Sequence, residues 1–133
     1  TEGQCASMQP TPGPGGTELP ADARTCFDVA GAAGEAAIVN LTPVEASGPG
    51  DGQLVSSDVA DAPVASNVNF RVGSVDPNVA VTAIGADGRV CYVNSVHASV
   101  HLVADHLGTI TDGMYRPASA SGAPVRTLDT RID

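Results

Sequence analysis

No stretch of about eleven residues in this chain holds a helical apolar period without a glycine or proline breaking it, which excludes helices of ordinary length. Fifteen Gly and ten Pro cut the sequence into short segments bounded by turn residues, the punctuation of strands rather than helices. The apolar residues between these breaks are mostly Ala and Val. Aromatics are confined to Phe27, Phe70, Tyr92 and Tyr115, and there is no Trp. Such a core fills through many thin β-branched side chains, which pack well on pleated surfaces. With 133 residues there is room for one core and not two. The expected fold is therefore all-β, a single β-sandwich of jelly-roll or Ig-like type with extended N- and C-terminal arms.

Within that frame, residues 1–24 read as a Pro/Gly-rich arm and 25–115 as the body. Residues 116–124 read as a linker, and 125–133 as a final strand with its tail. Strands are predicted over 25–30, 36–42 (closing at Pro43), 53–57, 64–72, 79–84, 89–93, 99–104 and, more weakly, 110–115. The run Gly48-Pro49-Gly50-Asp51-Gly52 reads as a turn. Gly85-Ala86-Asp87-Gly88 is the clearest hairpin signal, because Asp-Gly supplies the positive φ angles of a tight connection between paired strands.

The charge balance narrows the partners. Fifteen acidic residues face six arginines and no lysine, and the net charge of −9 repels phosphate backbones and anionic headgroups. Nucleic-acid binding and membrane association are not expected, and no segment approaches the ~20 apolar residues of a membrane span. A start at Thr1 followed by a polar segment is what a mature protein shows after signal removal, so secretion is expected. Cys5, Cys26 and Cys91 lack metal-type spacing; in an oxidising compartment they give one disulfide and one spare thiol, with all three pairings open.

Several phrases occur together and in order: Ala37–Thr42, Ala65-Ser66-Asn67-Val68-Asn69-Phe70, Pro77-Asn78-Val79-Ala80-Val81, Gly85–Cys91, His101-Leu102-Val103-Ala104-Asp105 and Leu128-Asp129-Thr130-Arg131. The set resembles a β-rich repeat domain of secreted actinobacterial proteins, often in tandem or appended to extracellular hydrolases. That resemblance implies a secreted accessory domain and no established activity. Some members of that family carry a cysteine in the segment matching Ser57-Asp58, a partner for the one matching Cys91. Its absence here implies that Cys91 pairs with an arm cysteine or stays free. In the usual unit the Leu-Asp-Thr-Arg phrase precedes the body, whereas here it follows it.

A body lacking its first strand and a tail carrying a spare copy suggest donation of the tail. The expectation is a pilus-like filament, a homopolymer built head to tail by strand addition. Its assembly strand comprises Val125, Arg126, Leu128, Asp129 and Arg131. Val125 and Leu128 would be the anchors, Arg126 and Arg131 would meet an acidic partner, and Asp129 would pair with one of its arginines. The alternative is a monomeric cell-wall or glycan-binding module whose tail folds back on its own body.

Reactive chemistry finds little support. His97 and His101 would share a strand face as metal ligands do, with Asp105 or Asp112 adding a carboxylate, but solvated or interface histidines are the plainer reading, His106 included. His101, Asp105 and a serine assemble a triad only on paper, without a Gly-x-Ser-x-Gly elbow. Asp51, Asp58 and Asp61 match no calcium loop. Asn67, Asn69 and Asn78 offer hydrogen bonds to a glycan but lack aromatic platforms, and strand-edge asparagines more often satisfy nearby backbone. Asn40-Leu41-Thr42 forms an acceptor sequon that a core strand would bury. No enzyme activity, cofactor or metal is expected.

Overall fold

The computed structural model describes residues 18–61 and 65–132, and Cys5 lies outside them. Nine strands and no helix occur among the described residues: β1 Arg24–Asp28, β2 Ala36–Val44, β3 Gly50–Ser56, β4 Val68–Phe70, β5 Asn78–Ala83, β6 Arg89–Asn94, β7 His101–Thr111, β8 Met114–Pro117 and β9 Val125–Asp129. They form two antiparallel sheets. The first has the order β1-β6-β3-β4. In the second, β5-β2-β7-β8, β9 also pairs with β7. The fold is a β-sandwich.

Alternation along the strands explains the layering. On β2, Ala37, Val39 and Leu41 point inward while Ile38, Asn40 and Thr42 lie on the outer face, half-buried. Opposite them, Phe27, Leu54, Val90 and Tyr92 of the first sheet close the core. Leu19 joins that core, and its backbone pairs with Val100, so the described end of the N-terminal segment is packed onto the body. Tyr92 is fully buried with its hydroxyl donating to Asn94 Oδ1 at 3.3 Å, and burial pushes its pKa well above the ordinary tyrosine value.

Several expectations require correction. Strand β2 runs through Pro43 to Val44. The β5 ladder stops at Leu41, so Pro43 has a strand only on its β7 side, and its missing N–H costs no bond on the other. The segment read as a turn at 48–52 is half strand: Gly50, Asp51 and Gly52 pair with Phe70, Asn69 and Val68. Gly52 is there for close approach, because a Cβ would collide with the Tyr92 hydroxyl.

The expected hairpin at Asp87-Gly88 is a turn between strands that do not pair. Gly88 N–H donates to Gly85 O at 2.9 Å, but β5 joins β2 in one sheet while β6 joins β1 and β3 in the other. The tight hairpin lies instead at Asp112-Gly113, with φ of 50° and 77°, between Thr111 and Met114, which are directly opposed. The weak strand expected over 110–115 is thus the end of β7, a turn and the start of β8.

Cys91 is bonded to Cys26, directly opposite it across β1 and β6. The partner is a body cysteine, contrary to the pairing the resemblance implied. No helix among the described residues is long and apolar enough to cross a membrane.

Candidate functional site: the β9 seat on β7

Strand β7 is the longest, and one of its edges is shared by two strands laid end to end. From the Asp112-Gly113 turn, β8 runs back along β7 as far as Pro117 opposite Gly108. Ala118 N–H donates to Leu107 O at 3.0 Å, and the next residue in register is Val125, opposite His106. Residues 119–124 therefore leave the sheet and return to the same place. This loop is closed on itself, with Ser119 Oγ donating to Ala123 O at 2.8 Å and Gly122 N–H to Ser119 O at 3.0 Å. No residue of 118–124 is buried.

Beyond the loop, β9 is held by three kinds of contact. Leu128, opposite Ala104, has no exposed surface and belongs to the central core. Burial of such a side chain stabilises by roughly 1.5–3 kcal/mol. Two threonines fix the backbone: Thr127 Oγ1 donates to Ala104 O at 3.1 Å, and Thr130 Oγ1 accepts from Leu102 N–H at 2.9 Å while lying 2.9 Å from His101 Nδ1. The third contact is ionic. Arg126 bonds Asp105 through Nε at 2.6 Å and Asp129 through Nη1 at 3.3 Å. Arg131 grips Asp129 with Nε at 2.9 Å and Nη2 at 2.8 Å. Burial pushes the Asp129 carboxyl up, but the Arg131 hydrogen bonds and both guanidinium charges outweigh it and hold the group below its ordinary range.

Of the five residues expected on the assembly strand, the structure brings Arg126, Leu128, Asp129 and Arg131 into this seat. Val125 starts the strand half-exposed. Thr127 was not anticipated, and Thr130 was noted within the Leu-Asp-Thr-Arg phrase without a role; threonine is too common in exposed strands for type alone to mark either. Asp105, considered as a metal or triad carboxylate, is the partner of Arg126.

His106 lies beneath the point where the loop departs. Its ring is 1% exposed, and its Nε2 is 2.8 Å from Gly108 O and 3.0 Å from Thr109 Oγ1, which donates to Ala30 O. Burial holds its pKa below the ordinary histidine value, partly offset by the Gly108 carbonyl. The solvated reading expected for His106 is thus overturned, because β7 turns this side chain inward opposite Val39.

The other candidates scatter. His97 is exposed in the β6–β7 connection and not on a strand with His101. Asp112 sits in the β7–β8 turn, and no cluster of three or more potential metal ligands exists among the described residues. Asp51 and Asp61 line a cleft of about 520 Å³ on the four-stranded sheet, while Asp58 accepts the Ala86 N–H. Asn67 and Asn78 serve the fold: Asn67 Oδ1 takes the Leu54 N–H at 2.7 Å, and Asn78 Nδ2 donates to Asn67 O at 2.7 Å. Asn69 is exposed in a second cleft of about 490 Å³ beside Arg71 and Asp76. Asn40 is half-exposed on the outer sheet face with Nδ2 3.4 Å from Thr42 Oγ1, so the sequon is not buried as expected.

The fold and this seat define a disulfide-bonded β-sandwich completed by its own C-terminal strand. No family model, curated protein or solved structure matches the chain.

Proposed function

We propose that the chain is an extracellular structural subunit, and that β9 is its exchangeable assembly strand. The observation that carries this reading is the contrast between β9 and its tether. The strand contributes a fully buried Leu128, yet it joins the body through residues 118–124, none of which is buried. Opening that loop frees β9 without uncovering any side chain of the loop itself. A second copy's β9 then finds the same hydrogen bonds, the same pocket and the same Asp105. Exchange leaves these contacts nearly unchanged, so the outcome rests on concentration: a short tether keeps its own strand at an effective concentration of about millimolar. Crowding at a surface favours exchange, and open-ended exchange is head to tail and grows. The resemblance to a tandem secreted repeat supports the same reading, since the Leu-Asp-Thr-Arg phrase there opens the next unit. The disulfide is compatible with an oxidising, extracellular setting.

A second reading has its own observation. Strands β8 and β9 follow one another along β7, so the tail closes on its own body with no distance to cross. A closed monomer would act through a surface such as the Asn69 cleft, as a wall- or glycan-binding module.

Deleting residues 119–124 joins 118 to 125 in register and removes the hinge. Electron microscopy and size-exclusion chromatography of both proteins at near-millimolar concentration separate the two readings. Dimers or filaments from the full chain and monomers from the deletion variant are expected. A full chain that stays monomeric, or a deletion variant that assembles equally well, overturns exchange.

A further inference from the structure

The outer face of the five-stranded sheet carries two unlike rows. Register places Val81, Ile38, Gly108 and Pro117 side by side on β5, β2, β7 and β8. In the neighbouring row stand Val79, Asn40, Asp105 and Arg126, with β9 in place of β8. Along β2 the two rows are about 6.6 Å apart. The gap at Gly108 is filled from the side. Tyr115, paired with Ile110, lays its ring across Gly108, where a Cβ would collide with it, and its hydroxyl donates to Leu107 O at 2.9 Å. The ring is thus fixed at both ends with one face on the sheet, and Tyr115 remains 55% exposed. An otherwise aliphatic surface therefore presents one anchored aromatic plane to solvent, beside a row of amide, carboxylate and guanidinium groups.

We propose that this face binds an uncharged oligosaccharide of equatorially substituted pyranoses, with one sugar ring stacked on Tyr115 and its hydroxyls turned to Asn40, Asp105 and Arg126. Such a sugar has the same two-sided chemistry. Its axial C–H bonds form a flat, weakly positive face that suits the negative face of an aromatic ring, and the hydroxyls at its rim both donate and accept. Charge selects this ligand over others. The net charge of −9 disfavours an anion, and Arg126 already neutralises Asp105 through a bond of 2.6 Å, which leaves a cation little to gain. A protein surface laid over the row would strip water from that pair at a cost, whereas sugar hydroxyls replace the water bond for bond. The aromatic platform missing beside Asn67, Asn69 and Asn78 is thus supplied on another face. The inference deepens the glycan-module reading and rests on it, with this face in place of the Asn69 cleft. Exchange of β9 leaves the site intact, since a second copy's strand brings the same guanidinium to Asp105.

Cellohexaose and chitohexaose, titrated separately into the isotope-labelled full chain and followed by NMR, test the site. At least one should give saturable shifts of the Tyr115 ring and the Asn40 side-chain amide, with sugar C–H protons moving upfield under the ring. Tyr115→Ala is expected to weaken binding about tenfold or more, and Tyr115→Phe, which keeps the plane and loses only its anchor, about threefold. Asn40→Ala should cost about threefold while the Tyr115 ring shifts persist. Val96→Ala, at an exposed position in the β6–β7 connection, should change nothing. Binding undiminished in Tyr115→Ala overturns the proposal. Saturable shifts centred on 67–78 that spare Tyr115 also overturn it, but keep a glycan module acting through the Asn69 cleft. No shift with either saccharide overturns this site and the glycan reading together. Tyr115 shifts that follow protein concentration and ignore sugar overturn it as well, and make a second copy the occupant of the face.

Discussion

The first and last strands of the sandwich are both edge strands, and they are secured by different means. Strand β1 puts Phe27 into the core and is tied to β6 by the Cys26–Cys91 bond. Strand β9 puts Leu128 into the same core and is tied to β7 only by hydrogen bonds and ion pairs. One cannot leave without reduction; the other leaves whenever its contacts are broken together. The difference teaches where reversibility is available: the seat on β7 can be emptied and refilled, while the β1 edge is permanent in an oxidising medium.

The largest effect should come from cutting the covalent tie. Replacing Cys26 and Cys91 together by Ser frees a loop with a sequence separation of 65, which chain entropy values at about 4 kcal/mol. Urea denaturation of the double variant measures it, and a loss below about 1 kcal/mol would mean that β1 is held by packing alone. Next comes Leu128→Ala, expected to cost about 3 kcal/mol because it leaves a cavity in the central core. Amide protection at 103–106 of β7 should fall in this variant before protection in β6 does. Equal losses in both sheets would show that β9 does not unseat independently.

Smaller effects come from pH and sharpen the contrast, since both titrating groups are at the β9 seat. The Asp129 pKa is lowered in the fold, so its contribution is present above the unfolded value and is lost as pH falls below about 4. Asp129→Asn should flatten that acid limb and cost about 1 kcal/mol at neutral pH, because the two guanidinium groups it serves are partly exposed. The His106 pKa is also lowered, which means the unfolded chain binds the proton more readily. Stability therefore falls as pH drops below about 6.5, and His106→Gln should remove that slope. Urea midpoints between pH 7 and 3 separate the two limbs; a midpoint flat from pH 7 to 5 in the wild type would remove His106 from the account.

Much of this architecture was legible in the residues. Short Val- and Ala-rich runs between glycines and prolines predicted strands, and a last strand expected over 125–128 is β9, one residue longer. What the seat does with its other residues was not legible. Thr127, Thr130 and Asp105 have meaning only because β7 lies alongside, and nothing local distinguishes them from other polar strand residues. His106 was unreadable for a similar reason: at a bulge opposite Val39, its burial depends on which way the β7 pleat faces.

The three Asp-Gly pairs mark the boundary between the two kinds of information. Asp51-Gly52 lies inside a strand, Asp87-Gly88 turns the chain from one sheet to the other, and Asp112-Gly113 makes the tight hairpin. The sequence by itself determined that this chain would be all-β and punctuated at such pairs, because backbone preference and alternation are local properties. Only the tertiary structure decided which pair became which turn, which cysteine met Cys91 and which edge kept β9. Those choices depend on residues distant in the chain: the Tyr92 hydroxyl beneath Gly52, Cys26 across from Cys91, and the Ala104 and Asp105 positions that receive Leu128 and Arg126.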